Sequence, residues 1–181
     1  MNGRDFSLKP FLSSCPPSYL EITGNIGRSS NTLAITYALL GPLSELLIPP
    51  PAEMPSRKDA LWEETCFEFF LAPGNSDRYW EFNLSPAGHW NVYSFKSYRQ
   101  GMQEELAFTS LPFSVHRQPD TLRLSLKFDL AGIIREEQTL QIAVSAVLKT
   151  LNGKMTYWAL THPGPQADFH RRDAFILELN S

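Results

Sequence analysis

Only two of the 181 residues are cysteine, Cys15 and Cys66, and only 19% are charged. The 16 Lys and Arg residues stand against 19 Asp and Glu, a formal net charge of −3, and they form no basic patch that could neutralise a phosphate backbone. Nucleic acid is therefore not an expected partner. The chain also lacks the run of roughly 20 apolar residues that a membrane span requires. Its longest apolar stretch, Leu33 to Leu47, is broken by Gly41, Pro42, Ser44 and Glu45. The first ten residues carry Arg4, Asp5 and Lys9 and no signal-peptide core, which predicts a soluble, cytoplasmic protein with free thiols rather than a disulfide. No glycine-rich phosphate loop, G-x-S-x-G elbow or Cys-x-x-Cys pair occurs, and no cofactor is expected.

What the chain has in quantity is aromatics and proline: 12 Phe, 6 Tyr, 4 Trp and 14 Pro. That mixture favours short strands joined by turns and argues against a helical bundle. Period-2 alternation and turn residues predict strands at Tyr19–Gly27, Thr32–Leu39, Thr65–Ala72, Tyr79–Pro86, Trp90–Phe95, Phe113–Arg117, Thr121–Phe128, Leu140–Leu148, Met155–Thr161 and Ala174–Leu179. Asp129 is placed to cap a short helical turn reaching Ile134. The segment Pro42 to Ser56, with five prolines, reads as a long surface loop. About ten strands, no crossover helices and no repeat predict an all-β fold, an antiparallel β-sandwich or jelly roll with little helix.

The hairpin joined by Pro73-Gly74-Asn75-Ser76-Asp77-Arg78 carries most of the functional information. Phe67, Phe69 and Leu71 alternate with Cys66, Glu68 and Phe70, while Trp80, Phe82 and Leu84 alternate with Tyr79, Glu81, Asn83 and Ser85. Burying both apolar sets on one side requires paired numbers with an odd sum, and 151 suits the turn. Glu68 then faces Asn83 and Phe70 faces Glu81, a polar ladder on the side away from the core. Two readings stay open: a solvated sheet face, or a binding surface where aromatic rings cover the C–H side of a polyol while Glu and Asn take its hydroxyls. Paired carboxylates also admit glycoside hydrolysis, since Glu68 and Glu81 would sit diagonally on adjacent strands.

The run Leu61-Trp62-Glu63-Glu64-Thr65-Cys66-Phe67-Glu68-Phe69-Phe70-Leu71, followed by Tyr79-Trp80-Glu81-Phe82-Asn83-Leu84-Ser85-Pro86-Ala87-Gly88 and an aromatic strand, resembles the DOMON-like domains related to family-nine carbohydrate-binding modules. The pattern covers residues 57 to 102. The resemblance implies one sandwich domain of jelly-roll type over residues 1–181, binding sugar or, in another branch, haem. Tryptophans sandwich the ligand in the sugar-binding modules, so it implies Trp62 and Trp90 as walls. A Met and a His are the axial ligands in the haem branch, and neither Met102 nor Met155 aligns with a histidine.

Near the C-terminus, Thr161 to Asp173 gathers His162, Asp168, His170, Arg171, Arg172 and Asp173. His162, Asp168 and His170 are candidate metal ligands, although their spacing matches no standard zinc motif. Arg171 or Arg172 could clamp a carboxylate or phosphate beside His170. Alternatively, Asp168 and Asp173 pair with these arginines and hold the loop. Tyr98 and Arg99, just after the aromatic strand, either line the mouth of a pocket or form a surface turn.

The sequence thus points to non-catalytic binding of a carbohydrate or sugar-like small molecule by Trp62, Glu68, Glu81, Asn83 and Trp90. Tyr98, Arg99, His162, Asp168, His170 and Arg171 would stand at the rim. One alternative is an enzyme acting on a sugar or carboxylate through His162 or His170 with Glu68 or Asp168, which requires the histidine and a carboxylate within hydrogen-bond reach. Others are a haem-binding module and an interaction module docking a partner on the proline-rich 48–55 loop.

Overall fold

Alternation of buried and exposed side chains organises the chain into twelve strands among the residues described by the computed structural model, which are 2–15, 17 and 19–180. They are β1 (Asn2–Pro10), β2 (Glu21–Ser29), β3 (Thr32–Leu40), β4 (Cys66–Pro73), β5 (Tyr79–Leu84), β6 (Trp90–Phe95), β7 (Gln103–Glu104), β8 (Phe113–Gln118), β9 (Thr121–Asp129), β10 (Leu140–Lys149), β11 (Met155–Ala159) and β12 (Leu177–Leu179). All pairings are antiparallel. One layer runs β1-β2-β3-β9-β8 and the other β7-β6-β5-β4-β10-β11, with β12 beside the start of β10. β1 joins them: residues 2 to 8 pair with β2, and Lys9 and Pro10 pair with Ala159 and Trp158 of β11. The result is a curled, sandwich-like all-β fold. No helix among the described residues is long and apolar enough to cross a membrane.

The core lies between the layers. Phe67, Phe69, Leu71, Trp80, Phe82 and Leu84 from the aromatic hairpin meet Ile22, Ile26, Ile35, Tyr37, Leu124 and Leu126 from the facing layer. The hairpin pairs in the register whose numbers sum to 151, with Glu68 opposite Asn83 and Phe70 opposite Glu81. Gly24 is required by this packing, since a Cβ there would lie 2.3 Å from the Phe6 ring and 2.0 Å from the Thr36 carbonyl oxygen.

Several expectations need correction. β1 was not anticipated, because only Phe6 and Leu8 mark its buried side. β2 runs past the expected end at Gly27 to include Arg28 and Ser29, and the last strand is confined to Leu177–Leu179. The 42–56 segment is not simply a surface loop: Leu43, Leu46 and Ile48 are buried, and the Leu47 amide donates to the Lys149 carbonyl at 2.8 Å. Its apolar side chains, interleaved with the prolines, close the end of the core. The Asp129 side chain does accept from the Ala131 amide at 2.8 Å, starting the turn that reaches Ile134.

Arg28 is buried and its guanidinium donates to the carbonyls of Ser30, Arg135, Glu136 and Gln138. It thereby satisfies the irregular segment before β10. Arg28→Ala should orphan these acceptors and lower folding free energy by about 2–4 kcal/mol, measured by urea denaturation. A loss below about 1 kcal/mol would show that water replaces it.

Candidate functional site

The outer face of the second layer is assembled in lateral rows. Asn91, Asn83, Glu68 and Ser145 stand opposite one another across β6, β5, β4 and β10, and the next row is Tyr93, Glu81, Phe70 and Ala143. A row of Cys66 and Val147 continues to Tyr157 of β11. This face is not solvated. Glu68 is 2% exposed, Glu81 5%, and Asn83 and Asn91 0%. A second apolar cluster of Phe70, Tyr79, Tyr93, Phe95 and Phe175, with Trp62 and Phe169 packed against it, covers the sheet.

Three irregular segments supply the cover. Trp62 sits in the 3-10 turn Leu61–Glu63 and meets Tyr93 edge-on at 5.7 Å. The preceding Ala60 has a left-handed backbone, φ 55, and its amide is held by the Asp59 carboxylate at 2.8 Å. Arg99 has φ 52, with its amide donating to the Tyr79 hydroxyl at 3.1 Å and its guanidinium to Asp168 at 2.8 Å. Two non-glycine residues in this sparsely populated region beside one cavity are positions that surrounding contacts over-determine. The third segment carries Asp168, Phe169 and His170. Asp168 accepts from the Tyr98 hydroxyl, from Arg99 and from the His170 amide, tying the 98–99 turn to the C-terminal loop.

These elements enclose a cavity of about 380 Å³. Its floor is Glu68, Glu81 and Val147, and its walls include Trp62, Phe70, Phe95, Tyr157 and Phe169. Arg99, Met102 and His170 complete the lining. The volume lies in the range of small-molecule sites.

Burial sets the electrostatics. The Glu68 carboxyl is held well above its ordinary range by desolvation, with the neighbouring Glu81 adding to the shift and the Ser145 hydroxyl, donating to Oε2 at 3.4 Å, opposing it. Its Oε1 has no hydrogen-bond partner among the described residues. Desolvation also pushes Glu81 up to about 7, against the Asn83 amide donating at 2.9 Å and the Arg99 charge. His170 is pushed down to about 4 by burial and by Arg99, so it is neutral near pH 7. The Tyr79 hydroxyl, which accepts from the Arg99 amide, is hydrogen-bonded to His170 Nδ1 at 2.8 Å. The other ring nitrogen, Nε2, faces Glu81 Oε2 at 3.8 Å.

Among the sequence-derived residues, Trp62, Glu68, Glu81, Arg99 and His170 line the cavity. Asn83 lies beside the floor, bonded to Glu81 and to Cys66. Tyr98 and Asp168 stand at the rim. Trp90 is a correction: its even number on β6 places it on the core face with Val92, beneath the Arg57 guanidinium at 4.4 Å. His162 is another, since it donates from Nε2 to the Lys9 carbonyl at 2.8 Å and packs against Phe11. Arg171 pairs with Asp173 and is not among the cavity-lining residues, whereas Asp168 pairs with Arg99 and not with its own loop's arginines. No group of three or more potential metal ligands occurs among the described residues. His170 and Glu81 approach to 3.8 Å, outside hydrogen-bond reach.

Sequence reading missed Phe95, Met102, Tyr157 and Phe169. Alternation against Trp158 and Val92 could have placed Tyr157 and Phe95 on the outer face. Met102 and Phe169 lie in irregular segments, where no period announces which way a side chain turns.

No protein-family model matches the chain, and no curated protein sequence matches it. Solved structures do. A candidate carbohydrate-binding protein from Bacteroides uniformis superposes with a TM-score of 0.71 over 99% of this chain and 85% of its own, at 13% identity. A family-nine carbohydrate-binding module from Caldicellulosiruptor kristjanssonii in complex with cellotriose gives 0.55 over 92% of this chain and 77% of its own, at 10% identity. The module in complex with glucose gives 0.56 over 92% and 78%, at 9% identity. At these identities the likeness is one of fold: this chain is built as those carbohydrate-binding proteins are built.

Proposed function

We propose that the chain is a single non-catalytic binding domain that takes a carbohydrate or sugar-like small molecule into the cavity on its outer sheet face. The observation that carries this reading is the unpartnered Oε1 of Glu68, in a carboxyl group that forms the floor of an aromatic-walled cavity. A buried polar atom without a partner is destabilising, and a ligand hydroxyl or amine removes the deficit. Phe70, Phe95, Tyr157 and Trp62 offer apolar surface for the C–H side of a sugar ring. The neighbours with cellotriose and glucose support the same ligand class. With Cys15 and Cys66 both free, we read the chain as a cytoplasmic, DOMON-like relative of those modules.

Haem is less well served. Met102 and His170 do share the cavity, but His170 is engaged by Tyr79 and faces Glu81, and the floor holds two buried carboxyl groups. Calorimetric titration with neutral mono- and oligosaccharides tests the sugar reading. Trp62→Ala should weaken binding about tenfold, equivalent to about 1.4 kcal/mol, with little change in melting temperature. Absence of binding across the sugar panel overturns the reading.

A further inference from the structure

Two carboxyl groups share the cavity floor, diagonal to each other on adjacent strands, and almost nothing positive answers them. Arg99 is the one Lys or Arg among the described lining residues, and its guanidinium is bonded to Asp168 at 2.8 Å. The neutral His170 ring holds Nε2 3.8 Å from Glu81. Ser145 reaches Glu68 at 3.4 Å, a long bond, and the other Glu68 oxygen has no partner among the described residues. Charged groups facing these carboxyls from the packed elements are therefore Arg99 and Asp168 at the mouth, with Cys66, Tyr37, Tyr79 and Tyr93 as neutral titratable neighbours.

An apolar-walled site whose floor carries unanswered carboxyls is complementary to a cation with an apolar body. Aromatic faces attract the positive end, and ionised carboxylates complete it. Resting on the reading of the cavity as a sugar site, we infer that the ligand carries an ammonium group seated between Glu68 and Glu81, so that an amino sugar is preferred to its neutral parent. Without ligand, burial favours the protonated form of both carboxyls because their charge is uncompensated. An arriving ammonium supplies the compensation, and a carboxyl proton leaves for solvent.

The native protein should be titrated by calorimetry with D-glucosamine, D-glucose, N-acetyl-D-glucosamine and cyclohexylamine, in two buffers of different ionisation enthalpy. At about pH 6 the amines are charged, while Glu81, at about 7, still holds its proton. Glucosamine should bind roughly tenfold to hundredfold more tightly than glucose, with release of about one proton per ligand. The N-acetyl form, which keeps the ring and loses the charge, should fall to the level of glucose, and Glu68→Gln should abolish the preference. Equal affinity for glucosamine and glucose without proton release overturns the ammonium inference and leaves the sugar reading standing. Binding of cyclohexylamine with proton release, when no sugar binds, upholds the ammonium and overturns the sugar reading. No binding by any of the four overturns both.

Discussion

Phe69→Ala should remove about 3–5 kcal/mol of folding stability, a large part of what a domain of this size possesses. Phe69 is 0% exposed in the middle of β4, stacked on Phe82 with ring centroids 4.5 Å apart and planes 11° from parallel. Phe128 reaches both rings from the facing layer, at 6.1 Å and 5.0 Å. Truncation loses the transfer free energy of the ring and leaves a void that two further aromatics cannot fill without leaving their rotamers. The effect should extend beyond the core. β4 is buried on both faces, so relaxation around residue 69 displaces Glu68 and Phe70 on the cavity side. Urea denaturation and a melting curve measure the result, with a fall in melting temperature of roughly 10 °C. Phe69→Leu, which retains most of the volume, should lose less than about 1.5 kcal/mol. An alanine variant within that same margin would mean that the stacked pair does not organise the sandwich.

Stability should also fall as pH rises above the ordinary carboxyl range, with Glu68 and Glu81 as the cause. A carboxyl whose folded pKa is raised binds more protons in the folded state than in the unfolded one. Its contribution is complete below the unfolded value near 4.5 and declines as pH rises towards the folded value. For Glu81 that decline runs from about 4.5 to about 7. His170 works in the opposite sense, since its folded value of about 4 lies below 6.5, and stability is gained as pH rises across that interval. The two oppose each other in the acid range. Glu68, held well above its ordinary value by burial, acts in the same sense as Glu81, binding in the folded chain a proton that the unfolded chain releases. Each carboxyl that is protonated in the folded chain and ionised in the unfolded one contributes a slope of at most about 1.4 kcal/mol per pH unit. Urea midpoints at several pH values should show this decline in the native protein and a shallower one in Glu68→Gln. Parallel slopes would assign the decline to other groups.

How far the site was legible in the sequence depended on periodicity. In the aromatic hairpin, alternation fixed which side chains share a face, and the turn set a register that the structure reproduces residue for residue. That alternation and register place Glu68 and Glu81 together on one face. Alternation also separates Trp90 from Asn91, yet the resemblance drew Trp90 into the site, and the strand's pleat puts it on the core side with Val92. The His162–Arg171 loop was legible as chemistry but not as geometry. Arg171 turns to its neighbour Asp173, whereas His162 turns to the β1 end and Asp168 and His170 to the cavity, directions set by contacts more than 60 residues away in sequence. β1 escaped notice for a related reason: with Phe6 and Leu8 as its buried markers, its strand character comes from the β2 edge that it completes.

The cover over the outer sheet face has a consequence for the order in which the molecule loosens. The floor belongs to β4, β5 and β10, joined by continuous backbone ladders, whereas the cover is held by isolated side-chain contacts such as His170 to Tyr79 and Asp168 to Arg99. The rim contact between Arg99 and Asp168 is half exposed on the arginine side, and such ion pairs contribute about 0–1 kcal/mol. The cover is therefore the first part of the molecule to open, by local excursions far smaller than global unfolding. The cavity can exchange its contents while the sandwich beneath it stays intact.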